Sequence, residues 1–235
     1  MNNEPVIVLD LDDTLYLERD YVRSGITAVD TWVRRVLQLG GFGEAADASF
    51  AAGRRDHLFD AAFEMIGVEA APSLISRVVY EYRRHRPQIR LTPDSRRFLG
   101  SFASFPLALV SDGSALSQRM KVSALALRDR LSLIIYTDDW GRPYWKPHVR
   151  AYQHAQATLG AGRPFIYIAD NAAKDFAGPR RLGWNTIQIV RRERLHRGAP
   201  PTPEHRADLV IESLDELTAA VVRGLVVDRE TRMAY

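Results

Sequence analysis

Short apolar runs that end in acids or hydroxyls alternate with stretches of helical spacing along most of this chain. Pro5 to Leu9 reads PVIVL and is followed by Asp10-Leu11-Asp12-Asp13-Thr14. Such a run, rich in β-branched residues, predicts a strand buried on both faces with polar groups at its C-terminal end. Further strands are predicted over 106–110, 131–136, 165–169, 186–190 and 207–211. Helices are predicted between them. Thr92-Pro93-Asp94 opens one, with proline near the first turn. Others follow Ser111-Asp112-Gly113-Ser114 as far as Leu127, run from His148 to Leu159, and follow Asp170-Asn171 to Leu182. Ser213 opens the last.

Residues 16–90 differ. Apolar positions there recur at helical spacing, as in Val22, Ile26, Val29, Val33, Val36 and Leu37. Two more helical stretches are expected, Ala45 to Ile66 and Ser73 to Arg86, punctuated by glycines and prolines. No strand signal interrupts them. The pattern therefore predicts an α/β fold: a Rossmann-like, doubly wound parallel sheet built from 1–15 and 91–235, with a small helical domain, 16–90, inserted after the first strand.

Composition narrows the chemistry. The 235 residues are 46% hydrophobic and 26% charged, ordinary for a globular protein. There is no cysteine, so disulfides, thiolate metal sites and thiol nucleophiles are excluded. No apolar run approaches the roughly 18 residues of a membrane helix. The N-terminal segment has no basic start and aspartates break its apolar run, so a signal peptide is not expected and a cytoplasmic location is. The net charge of +3 is spread along the chain. Its densest clusters, Arg83-Arg84-His85-Arg86 and Arg191-Arg192-Glu193-Arg194, read as solvated faces or as an attraction for an anionic substrate. No recognition motif accompanies them, and nucleic-acid binding is not expected. The only lysines are Lys121, Lys146 and Lys174; among so many arginines, a lysine at a meaningful place is informative.

In a doubly wound sheet, ligands bind outside the carboxyl ends of the strands. Three predicted strands end directly in Asp10, Ser111 and Asp170. Asp10 and Asp12, two residues apart at one strand end, repel each other unless a cation or a shared proton lies between them. Magnesium, a hard cation that takes one or two carboxylates plus substrate phosphate, answers that problem, and Asp170 can add a ligand. Asp13 and Thr14 read as helix-capping residues.

Four separated motifs in order give this chain a resemblance to the haloacid-dehalogenase-like (HAD) hydrolase superfamily. They are VIVLDLDDTL, LALVSDGS ending a strand in Ser111, Lys146-Pro147 at a helix start, and IYIADNAAKDF carrying Asp170 and Asp175. The resemblance covers roughly 4–15 and 91–215, and it implies an aspartyl-phosphate mechanism. Asp10 would attack phosphorus. Asp12 would act as general acid and then as general base. Asp10, the Asp12 carbonyl and Asp170 would hold Mg2+. Ser111 and Lys146 would bind phosphoryl oxygens, with backbone donors from Asp112-Gly113-Ser114. Asp175 would support the metal site or hold Lys146. Asp12 favours phosphate esters over carbon–halogen bonds, because dehalogenase members lack this second aspartate and an alkoxide leaving group, unlike a halide, needs a proton.

The fourth motif departs from the family pattern in Ala169, where glycine is usual, and in Asn171. The latter adds a hydrogen bond beside the metal site or tolerates an unusual turn. Lys174 is expected to be solvated. The resemblance makes 16–90 a mobile cap that closes over the sheet edge. Arg19, Tyr21 and Arg23 would either line its entrance or face solvent. Trp140, Tyr144 and Trp145 would either stack on substrate or pack under their loop. The expected activity is Mg-dependent phosphomonoester hydrolysis on a small phosphorylated metabolite, with no membrane partner. A phosphotransferase or mutase using the same intermediate, and a silent binding module, stay open. The substrate and oligomeric state are not readable.

Overall fold

The computed structural model describes residues 4–233. Six parallel strands form one sheet in the order β3-β2-β1-β4-β5-β6. They are β1 (Val6–Leu9), β2 (Leu107–Ser111), β3 (Leu133–Tyr136), β4 (Phe165–Ala169), β5 (Asn185–Ile189) and β6 (Leu209–Ile211). β1 is central and hydrogen-bonds to both β2 and β4. The chain builds outward on one side through β2 and β3, then crosses to the other side of β1. That reversal opens a crevice at the strand ends.

Alternate residues of each central strand feed opposite faces. Ile7, Leu9, Leu107, Leu109, Ile166 and Ile168 pack into one core cluster. Val6, Val8, Ala108, Val110, Tyr167 and Ala169 pack into the other. Both faces are apolar because both are covered by helices. The first is closed by α5 (Pro93–Ser101), α6 (Ala115–Ala124) and α9 (Ala219–Met233), and the second by α7 (Arg150–Leu159) and α8 (Ala177–Arg181).

Four helices stand between β1 and α5: α1 (Glu18–Leu37), α2 (Phe42–Ala51), α3 (Leu58–Met65) and α4 (Pro72–Arg84). They share their own apolar cluster, built on Ile26, Val29, Val33, Phe42, Phe59, Phe63 and Val78. Val36, expected on the buried face of α1, is exposed near the end of that helix. Gly25 is required where α1 meets α4: a Cβ there would lie 2.1 Å from Cε2 of Tyr82. The two connections to the sheet domain run side by side, with the Thr92 amide donating to the Leu15 carbonyl at 3.1 Å.

Several elements differ from the sequence expectation. The stretch 45–66 is two helices, broken around Gly53, whose φ of +94° suits glycine. The helix expected after Asn171 shrinks to Ala177–Arg181, because the amides of the preceding turn are taken by the Asp175 and Asn171 side chains. Ser213 caps only a short 3-10 turn over Leu214–Glu216, and the last helix begins at Ala219. Among the described residues, no helix is long and apolar enough to cross a membrane.

Candidate active site

Register brings the strand ends together. Leu9 pairs with Leu109 on one side and Ile168 on the other. Asp10 therefore stands one residue past that rung, and Ser111 and Asp170 two. The Asp10 amide donates to the Ile168 carbonyl at 2.9 Å, which fixes its direction. The loop before α7 brings Lys146 to the same rim. Its Nζ donates to Asp10 Oδ1 at 2.6 Å and Tyr167 OH at 3.0 Å, and pairs with Asp175 Oδ1 at 2.8 Å. These groups are almost wholly buried. Asp112 turns inward: Oδ1 accepts from Thr137 at 2.7 Å and from the Lys146 amide at 3.2 Å. Gly113, with φ +104°, lets the chain turn there toward α6.

Asp10, Asp170 and Asp175 each offer a carboxylate oxygen, all within 4.8 Å of one another. Burial pushes the Asp10 carboxyl up to about 7, and Asp175 adds to the effect while Lys146 opposes it. Burial, with repulsion from Asp175 and Asp10, raises Asp170 well above the usual carboxylate range. Asp170 Oδ2 is buried without a hydrogen-bond partner. A divalent cation fits this set: it supplies the missing partner and turns the repulsion into attraction.

The Asp12 side chain points elsewhere. Lys121 Nζ donates to its Oδ1 at 2.7 Å, Gln118 Nε2 to its Oδ2 at 2.8 Å, and the Tyr16 hydroxyl also donates to Oδ1. Gln118 is oriented by the Asp112 carbonyl, which can only accept, so its amide nitrogen faces Asp12. Burial pushes the Asp12 carboxyl up, but the Lys121 charge and these hydrogen bonds outweigh it and hold it below the usual range. Ser111 Oγ accepts from the same Gln118 amide at 2.7 Å.

Sequence reasoning missed Lys121 and Gln118, both on α6. The scarcity of lysine was the available signal. Lys121 and Lys174 line the same cavity as Asp10, Asp12, Asp112 and Asp170, about 280 Å³ in volume. Lys174, expected to be solvated, is 3.2 Å from Asp112 Oδ2. With Lys146 on Asp10, every lysine of the chain serves this site.

Other expected residues divide. Asn171 lines the cavity, but its Oδ1 accepts from the Ala173 amide at 3.0 Å, a turn-stabilising bond. Asp13 accepts from the Glu18 amide at the start of α1 and from the Leu195 amide. Tyr21 and Trp145 reach the cavity, whereas Arg19, Arg23, Trp140 and Tyr144 are not part of its lining.

No family model matches the chain. A curated relative, the (S)-2-haloacid dehalogenase of Pseudomonas sp. (strain YL), is 32% identical over 112 residues. That match spans 48% of this chain and 47% of the relative. Solved structures align over almost the full length. The putative HAD-hydrolase YfnB from Bacillus subtilis, bound to magnesium, matches 94% of this chain and 99% of its own, with a TM-score of 0.66 and 17% identity. The 2-haloacid dehalogenase of Pseudomonas syringae pv. Tomato matches 94% and 99%, with a TM-score of 0.62 and 21% identity. The HAD phosphatase of Thermococcus onnurineus matches 90% and 95%, with a TM-score of 0.57 and 20% identity. At these identities the alignments speak for the fold alone. By fold, this chain is similar to the haloacid-dehalogenase-like hydrolases.

Proposed function

We propose that the chain is a magnesium-dependent phosphohydrolase acting on a small phosphorylated metabolite, with Asp10 as nucleophile. The observation that carries this reading is the unpartnered Asp170 oxygen beside Asp10 and Asp175. Three buried carboxylates gathered around one point call for a cation, and phosphoryl transfer is a reaction that uses one to neutralise spread charge. Asp10, Asp170 and the Asp12 carbonyl would hold it. Magnesium bound there would draw charge from the phosphoryl oxygens.

The residues of this chain would do the rest. Asp10, kept in place by Lys146 and the Ile168 carbonyl, presents its free oxygen to phosphorus. The Asp10–phosphorus bond forms as the ester bond breaks, and the departing oxygen takes its proton from Asp12. Water then attacks the aspartyl-phosphate, its proton passes to Asp12, and phosphate leaves. Ser111, Lys146 and the backbone of Asp112-Gly113-Ser114 supply donors for the phosphoryl oxygens. Asp12, ionised against Lys121, is set for the second step. Its acid role needs release from that pair.

The clamped Asp12 and the curated relative favour a second reading, hydrolysis of a 2-haloacid, in which the halide leaves without a proton. Phosphate release from phosphorylated sugars, nucleotides and organic acids, with and without magnesium, tests the first reading against halide release from 2-chloropropionate. Isomer formation without phosphate would indicate a mutase, and no turnover a silent module.

A further inference from the structure

A second cavity, of about 490 Å³, adjoins the catalytic one. That volume lies within the range of small-molecule sites, roughly 300–1,000 Å³. Val22 on α1, Phe50 at the end of α2, Leu58 on α3, Ile75 and Val79 on α4, and Leu195 from the loop after β5 form its apolar walls. The Leu195 wall is not loose: its amide donates to Asp13 Oδ2 at 2.6 Å, so the loop is tied to the first motif.

Four residues, Glu18, Tyr82, Arg83 and His196, line both cavities. They make the second cavity an extension of the first. Tyr82, which lines both, is packed against Gly25. His196 and Glu18 pair at 3.5 Å on one side of the seam. Arg83 is exposed at the end of α4 and, among the described residues, makes no hydrogen bond or ion pair. It leaves a free positive charge where an anion passes from solvent to the Asp10 site.

We infer that this cavity receives the organic portion of the substrate, and that the substrate is a phosphate monoester with an apolar alkyl or aryl body rather than a polyol or nucleotide. The inference rests on the phosphohydrolase reading of the Asp10 site. Its physical basis is the distribution of polar groups. Arg54, Arg55, His57, Asp60, Arg83 and His196 are exposed at the rim and Glu18 stands at the seam with the first cavity, while the remaining walls are aliphatic and aromatic. A sugar placed against those walls would leave hydroxyls without partners, each worth about tenfold in affinity. An alkyl or aryl chain loses nothing there and gains burial.

Titration calorimetry in magnesium with 3-phenylpropylphosphonate, 2,3-dihydroxypropylphosphonate and methylphosphonate tests this without turnover. The wild-type protein should bind the phenylpropyl compound at least about tenfold more tightly than the dihydroxypropyl one. Val79→Trp, which fills the cavity, and Leu58→Gln, which makes its wall polar, should erase that preference and leave methylphosphonate affinity unchanged. Equal wild-type affinities, or a preference kept by folded forms of both variants, would overturn the inference. Phosphate release from acetyl phosphate, which has almost no body, reports on the reaction alone. Preference without release would retire the phosphohydrolase reading and keep the apolar cavity; release without preference would do the reverse.

Discussion

Lys121 Nζ lies 2.7 Å from Asp12 Oδ1, and the Lys121 side chain is 5% exposed and packed 4.1 Å from the centre of the Tyr21 ring. A buried lysine thus faces the residue proposed as acid and base. An opposite charge this close favours the ionised carboxyl. Lys121→Met removes it, and Asp12 should then ionise at higher pH. Because the second step needs Asp12 as a base, activity falls as pH drops through that value. The acid limb of the kcat profile, where breakdown of the aspartyl-phosphate limits turnover, should therefore move to higher pH in Lys121→Met, with recovery in Lys121→Arg. An unmoved limb would show that Lys121 does not set the charge of Asp12.

The carboxylate cluster makes a prediction about stability without metal. Asp10 titrates at about 7 in the folded chain, well above an unfolded aspartate near 3.9. A group raised in this way favours the folded state below its unfolded value, and that contribution is lost as pH rises through the folded one. Metal-free protein should lose melting temperature between about pH 4 and 7 on this account. Magnesium at 100 times its Kd should restore about 2.7 kcal/mol. Melting curves with EDTA and with magnesium across this range read both effects. An increment equal at pH 4 and pH 8 would contradict the assignment.

Asp170→Asn separates binding from folding. Removing one ionisable carboxyl from the cluster lifts the burial and repulsion penalty of ionising it, so the metal-free variant should melt at or above the wild-type temperature. The stabilisation by magnesium should fall by more than half. A variant that melts far lower without metal, yet keeps the magnesium increment, would move the ion away from Asp170.

A second buried pair braces the two connections. Arg191 binds Asp94 at 3.0 Å and the Thr14 carbonyl at 2.7 Å, and Asp94 also accepts from the Leu214 amide at 3.0 Å. Against the upward push of burial, these bonds and Thr92 hold Asp94 at about 2. Its stabilisation is present above about pH 4 and is lost as pH falls toward 2. Arg191→Met strands the carboxylate and should cost on the order of 3 kcal/mol in a denaturation experiment at pH 7, with a smaller cost at pH 3. Equal costs at the two pH values would show that the charge of Asp94 is not the cause.

Asp10, Ser111 and Asp170 were legible because each ends an apolar strand, and a parallel sheet sends all its strand ends to one rim. Lys121 and Gln118 were not, because the spacing of α6 does not say which face meets a motif more than a hundred residues away. Asp12 shows the same limit: its position was readable, but two of its three side-chain partners, Gln118 and Lys121, come from another element. Within 16–90, the expected helix over 45–66 failed at Gly53, where a turn competes with an otherwise continuous apolar pattern. Ser213 was expected to open the last helix; it caps only a 3-10 turn and the helix begins at Ala219, since helix length depends on packing beyond the cap.

The most direct test compares phosphate release by wild-type protein and Asp10→Asn, with magnesium and with EDTA, on a panel of phosphate esters. Release should require magnesium and vanish in Asp10→Asn while the melting curve of that variant stays cooperative. Full release by Asp10→Asn, or halide release from 2-chloropropionate with no phosphate from any ester, would contradict the phosphohydrolase reading.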